Sequence, residues 1–177
     1  MKTTLEDLKN RRSCRTYRPE QITEEELEQV LQAGMYAPTG SGKQSPRIVA
    51  IQNAEVIGRL KKMNAALLGN PEADPFYGAP TVVVVLADRS CPTYLYDGSC
   101  VMDNLMNAAE AVGLGSCWIQ GRLRQAEDGR TTEAFCRERL ALPEDWALEA
   151  ILSLGIPAES PPPHTLEEAD WGKVTFL

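Results

Sequence analysis

The chain has 177 residues, 43% of them hydrophobic and 24% charged, with Gly 13 and Pro 12 scattered or locally clustered. That length suits one compact unit with no room for two full cores, and the composition excludes disordered polyelectrolytes, collagen-like repeats and low-complexity sequence. Acidic residues (25) outnumber basic ones (18), so the chain lacks the basic face that sequence-independent binding to nucleic acid or an anionic membrane requires.

Thr4 to Arg11 carries Leu5 and Leu8 at i, i+3 and predicts a short amphipathic helix. Thr23 followed by Glu26 is a capping-box pattern, and Leu27, Val30, Leu31 and Gly34 then repeat at helical spacing until about Tyr36, before Pro38. Arg47–Gln52 predicts a strand, Asn53 a cap for a helix through Leu68, and residues 69–80 a breaker-rich loop. Val82–Ala87, a continuous apolar run, predicts a central strand buried on both faces. Asp97 opens the longest helical pattern, reaching Val112. Val101, Leu105, Ala108, Ala109 and Val112 form one stripe and Met102 and Met106 a second, which predicts a buried central helix. Ser116–Gln120 reads as a strand, Thr132–Leu140 as a helix and Leu148–Leu154 as a strand. Residues 155–177 read as an arm that packs on something else, anchored by Val174–Phe176. Four strands among helices describe an α/β or α+β sheet domain, and the pattern alone does not choose.

Metal chemistry has little material. Five cysteines (Cys14, Cys91, Cys100, Cys117, Cys136) show no C-x-x-C pair, and the single histidine, His164, sits in a proline-rich stretch. The N-terminus lacks the apolar core of a signal peptide, and no apolar run approaches the roughly 18–20 residues of a membrane span. A cytoplasmic protein with reduced thiols, no metal and no membrane partner is expected.

Three local features are candidates for chemistry. In Arg11-Arg12-Ser13-Cys14-Arg15 an extended backbone puts Arg11, Ser13 and Arg15 on one side, and two guanidinium groups with a hydroxyl suit a phosphate. The alternative is a solvated basic stretch paired with the Glu24–Glu26 run. Ala37-Pro38-Thr39-Gly40-Ser41-Gly42-Lys43-Gln44 contains GSGK but fails as a Walker loop. Ala37 replaces the first glycine, Gln44 replaces the magnesium-binding Ser or Thr, and a strand follows instead of a helix. What remains is a small-residue loop that lets backbone approach a planar ligand. The third feature, Gly113 through Gly121 (GLGSCWIQG), reads as a buried helix-to-strand turn with Cys117 as a core thiol.

Taken in order, RRSCRTY, APTGSGKQSPRIVAI, DPFYGAPTVVVV, DGSCVMDNLMNAAEAVGLGSCWI and LSLGIPAESPPP resemble the nitroreductase family of FMN-dependent oxidoreductases over nearly the whole chain. The resemblance implies an α+β fold spanning residues 1–177, with 155–177 as a C-terminal arm wrapped around the partner of an intertwined homodimer. It implies two FMN sites at the subunit interface. Arg11, Arg12, Ser13 and Arg15 are assigned to the phosphate, ribityl chain and pyrimidine edge. Pro38, Thr39, Gly40 and Gln44 come from the other subunit and lie against the flavin, and Gln120 and Gly121 supply backbone near its reactive face. Electrons are expected to pass from NADH or NADPH through FMN to a nitroaromatic, quinone or similar acceptor by a ping-pong mechanism. FMN carries the chemistry and no side chain is assigned a catalytic role.

The chain departs from the family pattern at three places. Gly42 stands where Asn is frequent, no aromatic follows the Gln44-Ser45-Pro46 stretch, and His164-Thr165-Leu166-Glu167-Glu168 lacks the usual Arg or Lys, Lys173 being the first cation. A non-catalytic flavin-binding or storage module, and a cofactor-free dimeric interaction protein, are the alternative functions.

Overall fold

The computed structural model describes residues 4–139, 141–165, 167 and 170–177. In chain order it contains α1 (Thr4–Asn10), α2 (Glu24–Met35), β1 (Pro46–Ile51), α3 (Ala54–Leu67), β2 (Thr81–Asp88), α4 (Tyr94–Ala111), β3 (Gly115–Ile119), α5 (Thr132–Arg139) and β4 (Trp146–Gly155). The strands form one four-stranded sheet in the order β1-β2-β4-β3. Every neighbouring pair is antiparallel. The fold is therefore α+β, the class that the resemblance implied.

Period-two alternation in β2 builds a core on each face. Val83 and Val85, with Ala150, Leu152 and Leu154 of β4, pack under Val30 of α2 and Val101, Met102, Leu105 and Ala109 of α4. Val82, Val84 and Leu86, with Leu148 and Ile151, face Leu60 of α3, Phe76 and Cys136 of α5. The helix ends follow local chemistry: the Thr23–Glu26 capping box opens α2, and Asn53 Oδ1 accepts the Val56 N–H to open α3. Leu140, the expected end of α5, lies outside the described residues. The longest helix opens at Tyr94 and not at Asp97, because the Asp97 side chain turns inward instead of capping.

One irregularity in β4 matters. Val85 pairs with Ala150 and Leu86 with Leu148, which leaves Glu149 as the extra residue of a β-bulge. The bulge puts Glu149 on the α4 side, where a Cβ added to Gly98 would stand 2.9 Å from its Cγ. Beside the bulge, the Leu148 N–H is accepted by Glu133 Oε2 at 2.9 Å, and the other oxygen of Glu133 holds Arg89 and Arg137.

The arm divides in two. Its first stretch runs along the N-terminal segment: Ala158 N–H donates to the Thr16 carbonyl at 3.0 Å and His164 N–H to that of Lys9 at 3.2 Å. Beyond it, Trp171, Val174, Phe176 and Leu177 stand exposed on this chain. Among the described residues no helix is long and apolar enough to cross a membrane.

Glu133→Ala should lower the unfolding free energy by about 1.5–3 kcal/mol, since it strips a charged acceptor from the Leu148 N–H and from two arginines. Urea unfolding checks this, and an unchanged midpoint would show that the bulge does not need that carboxylate.

Candidate functional site

The N-terminal segment is sewn onto the edge of the sheet. Ser13 bridges Ser116 in parallel sense, Cys14 N–H donates to the Ser116 carbonyl at 2.9 Å, and Arg18 N–H to that of Ile156 at 2.9 Å. Cys14 points inward at 3% exposure, and Gly115 is bare because a Cβ there would meet the Cys14 sulfur at 2.7 Å. The Tyr17 hydroxyl lies 3.0 Å from the Cys14 carbonyl oxygen and 3.3 Å from that of Ser153. Burial, with smaller contributions from the nearby Cys14 and Cys117, pushes this phenol far up, so it stays a donor.

With Cys14 turned in, alternation carries its neighbours to the other side. The Ser13 side chain hydrogen-bonds the Cys117 thiol on β3, and the Arg11 and Arg15 charges both act on it. Burial pushes that thiol up, while the Arg15 charge, a hydrogen bond from Ser13 and the Arg11 charge oppose it; burial wins and the sulfur stays protonated at neutral pH. Among the described residues neither Arg11 nor Arg15 is ion-paired with a carboxylate. Glu26, the partner offered by the alternative reading, is bound into its own helix cap.

At the far end of β3, Gln120 and Gly121 form the turn. Trp118 Nε1–H donates to Gln120 Oε1 at 3.0 Å, and Gln120 Nε2 donates to the Arg122 carbonyl at 3.3 Å. A cavity of about 280 Å³ opens beside it, lined by Asn64, Leu68, Tyr77, Trp118, Gln120 and Arg124 among others. Cys117 and Gln120 are separated by roughly 10 Å of strand. One edge of the sheet thus carries the Arg11 and Arg15 charges toward one end and an open recess beside Gln120 at the other.

Two groups of expected residues lie elsewhere. Pro38, Thr39, Gly40 and Gln44 lead into β1, the edge opposite β3, roughly 14 Å away across three strand spacings. Within one chain they do not join the Arg11–Gln120 group. Arg12 is not among the groups acting on Cys117; its guanidinium donates to the Pro162 carbonyl of the arm, and it shares a cavity wall with Arg11. It lines a cavity of about 460 Å³ with Glu110, Gly113 and Ser160.

The loop from Thr39 to Ser45 is held by a residue that the motif reading did not single out for the site. Asp97, 3% exposed, accepts the Gly40 N–H at 2.8 Å, the Ser45 hydroxyl at 2.6 Å and the Thr93 hydroxyl at 3.1 Å. Burial alone raises its pKa, but the three hydrogen bonds outweigh that and hold the carboxyl below its usual 3.8. They fix a strained backbone, with Ser41 at φ 54°, Gly42 at 66° and Gln44 at 51°. Gly40 serves packing within the chain, since a Cβ would meet Thr93 Oγ1 at 2.2 Å, whereas the Cα of Gly42 is open. Glu149 was missed too, because a bulge leaves no mark in a hydropathy pattern.

With this geometry in place, the comparisons with known proteins agree. The chain matches the nitroreductase family over residues 8–156 and belongs to it. A relative from Archaeoglobus fulgidus, whose provisional name couples NADH dehydrogenase with NAD(P)H nitroreductase, is 30% identical over 164 residues, covering 90% of this chain and 88% of its own. The NADPH-flavin oxidoreductase of Vibrio harveyi is 28% identical, with 91% and 68% covered. Among solved structures, the FMN-dependent nitroreductase of Clostridium difficile R20291 superposes with a TM-score of 0.85 at 28% identity, covering 96% of each chain.

Because the native pKa of Asp97 is depressed, its contribution is complete above about pH 3.8 and is lost as pH falls through the native value. The protection factor of the Gly40 amide, its exchange rate set against the intrinsic rate at each pH, should be level from about pH 5 to 8 and fall only below that window; in Asp97→Ala the amide should be unprotected throughout. A loss of protection near neutral pH in the parent would assign the loop's anchor elsewhere.

Proposed function

We propose that this protein is an FMN-dependent oxidoreductase that passes electrons from NADH or NADPH to a nitroaromatic, quinone or similar acceptor. The observation that carries the reading is that Arg11, Ser13 and Arg15 all act on Cys117 of edge strand β3, with no carboxylate among the described residues to neutralise the arginines. Two charged forks and a hydroxyl suit a phosphate monoester, and the recess beside Gln120 suits a planar ring, so the donor set fits FMN. Names of the relatives support it: one is an FMN-dependent nitroreductase and another an NADPH-flavin oxidoreductase.

In this reading Arg11 and Arg15 bind the phosphate end and the pyrimidine edge, Ser13 adds a neutral donor, and the Gln120–Gly121 turn presents backbone to the ring. Bound FMN supplies the hydride-accepting and electron-returning chemistry. Arg12 ties the arm to the N-terminal segment instead of meeting the ligand. Pro38, Thr39, Gly40 and Gln44 belong to the site of a partner copy, which is the reason they lie at the opposite edge of this sheet. The functional unit is then a cytoplasmic homodimer of one domain, residues 1–177, whose arm wraps the partner with Trp171, Val174 and Phe176. A single shared ring recess makes donor and acceptor take turns, which gives ping-pong kinetics.

Purified protein should show a flavin spectrum that bleaches on anaerobic addition of NAD(P)H, and parallel double-reciprocal lines at several acceptor concentrations. Intersecting lines would mean a separate acceptor site. Arg11→Ala and Arg15→Ala should each weaken FMN binding by about 1.5–3 kcal/mol, roughly tenfold to a hundredfold. Equal affinity in both variants, by fluorescence titration, overturns the phosphate assignment. Sedimentation should give a dimer, and a concentration-independent monomer with FMN bound would remove the shared-site reading.

A further inference from the structure

The recess beside Gln120 is flanked by backbone that bulky residues rarely adopt. Tyr77, in the loop that lines it, stands at φ 58°, and Leu123, in the turn that carries Arg124, at φ 60°. Left-handed backbone costs such residues free energy that a glycine at either position would avoid. Burial of the Leu123 side chain does not offset the cost, since it is 83% exposed. Strain kept on two sides of one cavity points to function.

The surroundings hold Tyr77 in place. Asp74 Oδ1 accepts the Phe76 N–H at 3.0 Å, and its Oδ2 accepts the Gly78 N–H at 3.2 Å and the Lys61 ammonium at 2.9 Å. The Asp74 carbonyl accepts the Tyr77 N–H at 3.1 Å. Phe76, 1% exposed, fills the core beside Leu60, while its neighbour Tyr77 lines the recess. Trp118 lines it too, with its indole fixed on Gln120 Oε1. In the turn, the Arg124 N–H donates to the Gly121 carbonyl at 3.3 Å. The Arg124 side chain also lines the recess, and among the described residues no carboxylate pairs with it. No acid stands in the described lining, and the amide of Asn64 is already committed to the Leu60 carbonyl and the Thr132 hydroxyl.

We propose that this recess binds a small aromatic carboxylate, with Tyr77 and Trp118 against the ring and Arg124 on the carboxylate. Two aromatic side chains suit a planar ring, and a cavity of about 280 Å³ has room for one with its substituents. An unpaired guanidinium offers its fork to a carboxylate, and a lining without acids sets no repulsion against the charge. Tyr77 and Arg124 are then the specificity residues of the recess. That the anion is the electron acceptor, held beside a flavin ring at the Gln120–Gly121 turn, rests on the flavin reading above; its binding to Tyr77 and Arg124 does not.

Titration calorimetry of the full chain in saturating FMN, without an electron donor, tests this with 4-nitrobenzoate and its neutral analogue 4-nitrobenzyl alcohol. The carboxylate should bind about tenfold more tightly, and the preference should shrink as salt is raised. Arg124→Gln should bring the two compounds to the same affinity, and Arg124→Lys should keep part of the preference. Tyr77→Asn removes the ring and leaves a residue that tolerates left-handed backbone. It should weaken both compounds alike, several-fold, without a lower melting temperature, because relief of strain offsets the lost packing. With NADPH as donor, Arg124→Gln should lower kcat/KM for 4-nitrobenzoate through KM. Equal affinity of the parent for both compounds, a preference that survives in Arg124→Gln, or unchanged binding in Tyr77→Asn overturns the proposal, even if FMN is bound and reduced. A parent that prefers 4-nitrobenzoate but passes electrons to neither compound overturns the flavin reading and leaves the recess assignment standing.

Discussion

The structure hangs on the antiparallel pairing of β2 with β4. Both strands are buried on both faces, and their alternating side chains supply the floor of each core. A strand buried on both sides cannot slip by one residue without moving its whole apolar set to the wrong layer, so the register is strongly fixed. That fixed pair forces β1 and β3 to the two edges, and function collects at edges, where backbone and side chains can still meet another molecule. The β3 edge is partly closed by residues 13–18, and Arg15 there faces outward because Cys14 faces in.

How much of this the sequence carries depends on the range of the interaction. Val82–Ala87 and the Thr23–Glu26 cap were legible because a run of valines and a capping box are decided by neighbours within a few residues. The alternation of Arg11, Ser13 and Arg15 was legible for the same reason. The contact of Arg12, on the other side, with a carbonyl of the distant arm was not. The GSGK loop could be read as a loop, but its conformation is set by Asp97, more than fifty residues further on, which looked like a helix cap. Glu149 was hidden most deeply. It lies within WALEAILSLG, and only the extra residue of the bulge, which leaves no mark in the hydropathy pattern, puts it on the α4 side.

Edge strands also have to be protected from unwanted pairing. On β3 this task falls to the N-terminal segment, so the covering that protects the edge is the same one that carries Arg11, Ser13 and Arg15. Gly115 and Cys14 make that contact as close as it is, and Tyr17 ties it to the β4 backbone through Ser153. Under the proposed function, stability and ligand binding are coupled there: a change that loosens the segment weakens both.

The two buried acids beside the start of α4 show how hydrogen-bond count decides what a carboxyl does. Asp97 and Glu149 are buried to similar degrees, and burial pushes both upward. Asp97 receives three donors, which more than offset its desolvation, so it stays ionised through the physiological range and acts as a fixed strut for the loop at the β1 edge. Glu149 receives one neutral donor and the field of an arginine, which do not offset it, so its charge is left responsive to pH behind the turn at the β3 edge. Ser99 lies two residues beyond Asp97, so one end of one helix holds a rigid acid against one edge of the sheet and a titratable acid against the other. Two hydrogen bonds separate a carboxyl whose pKa is held down from one whose pKa is pushed up.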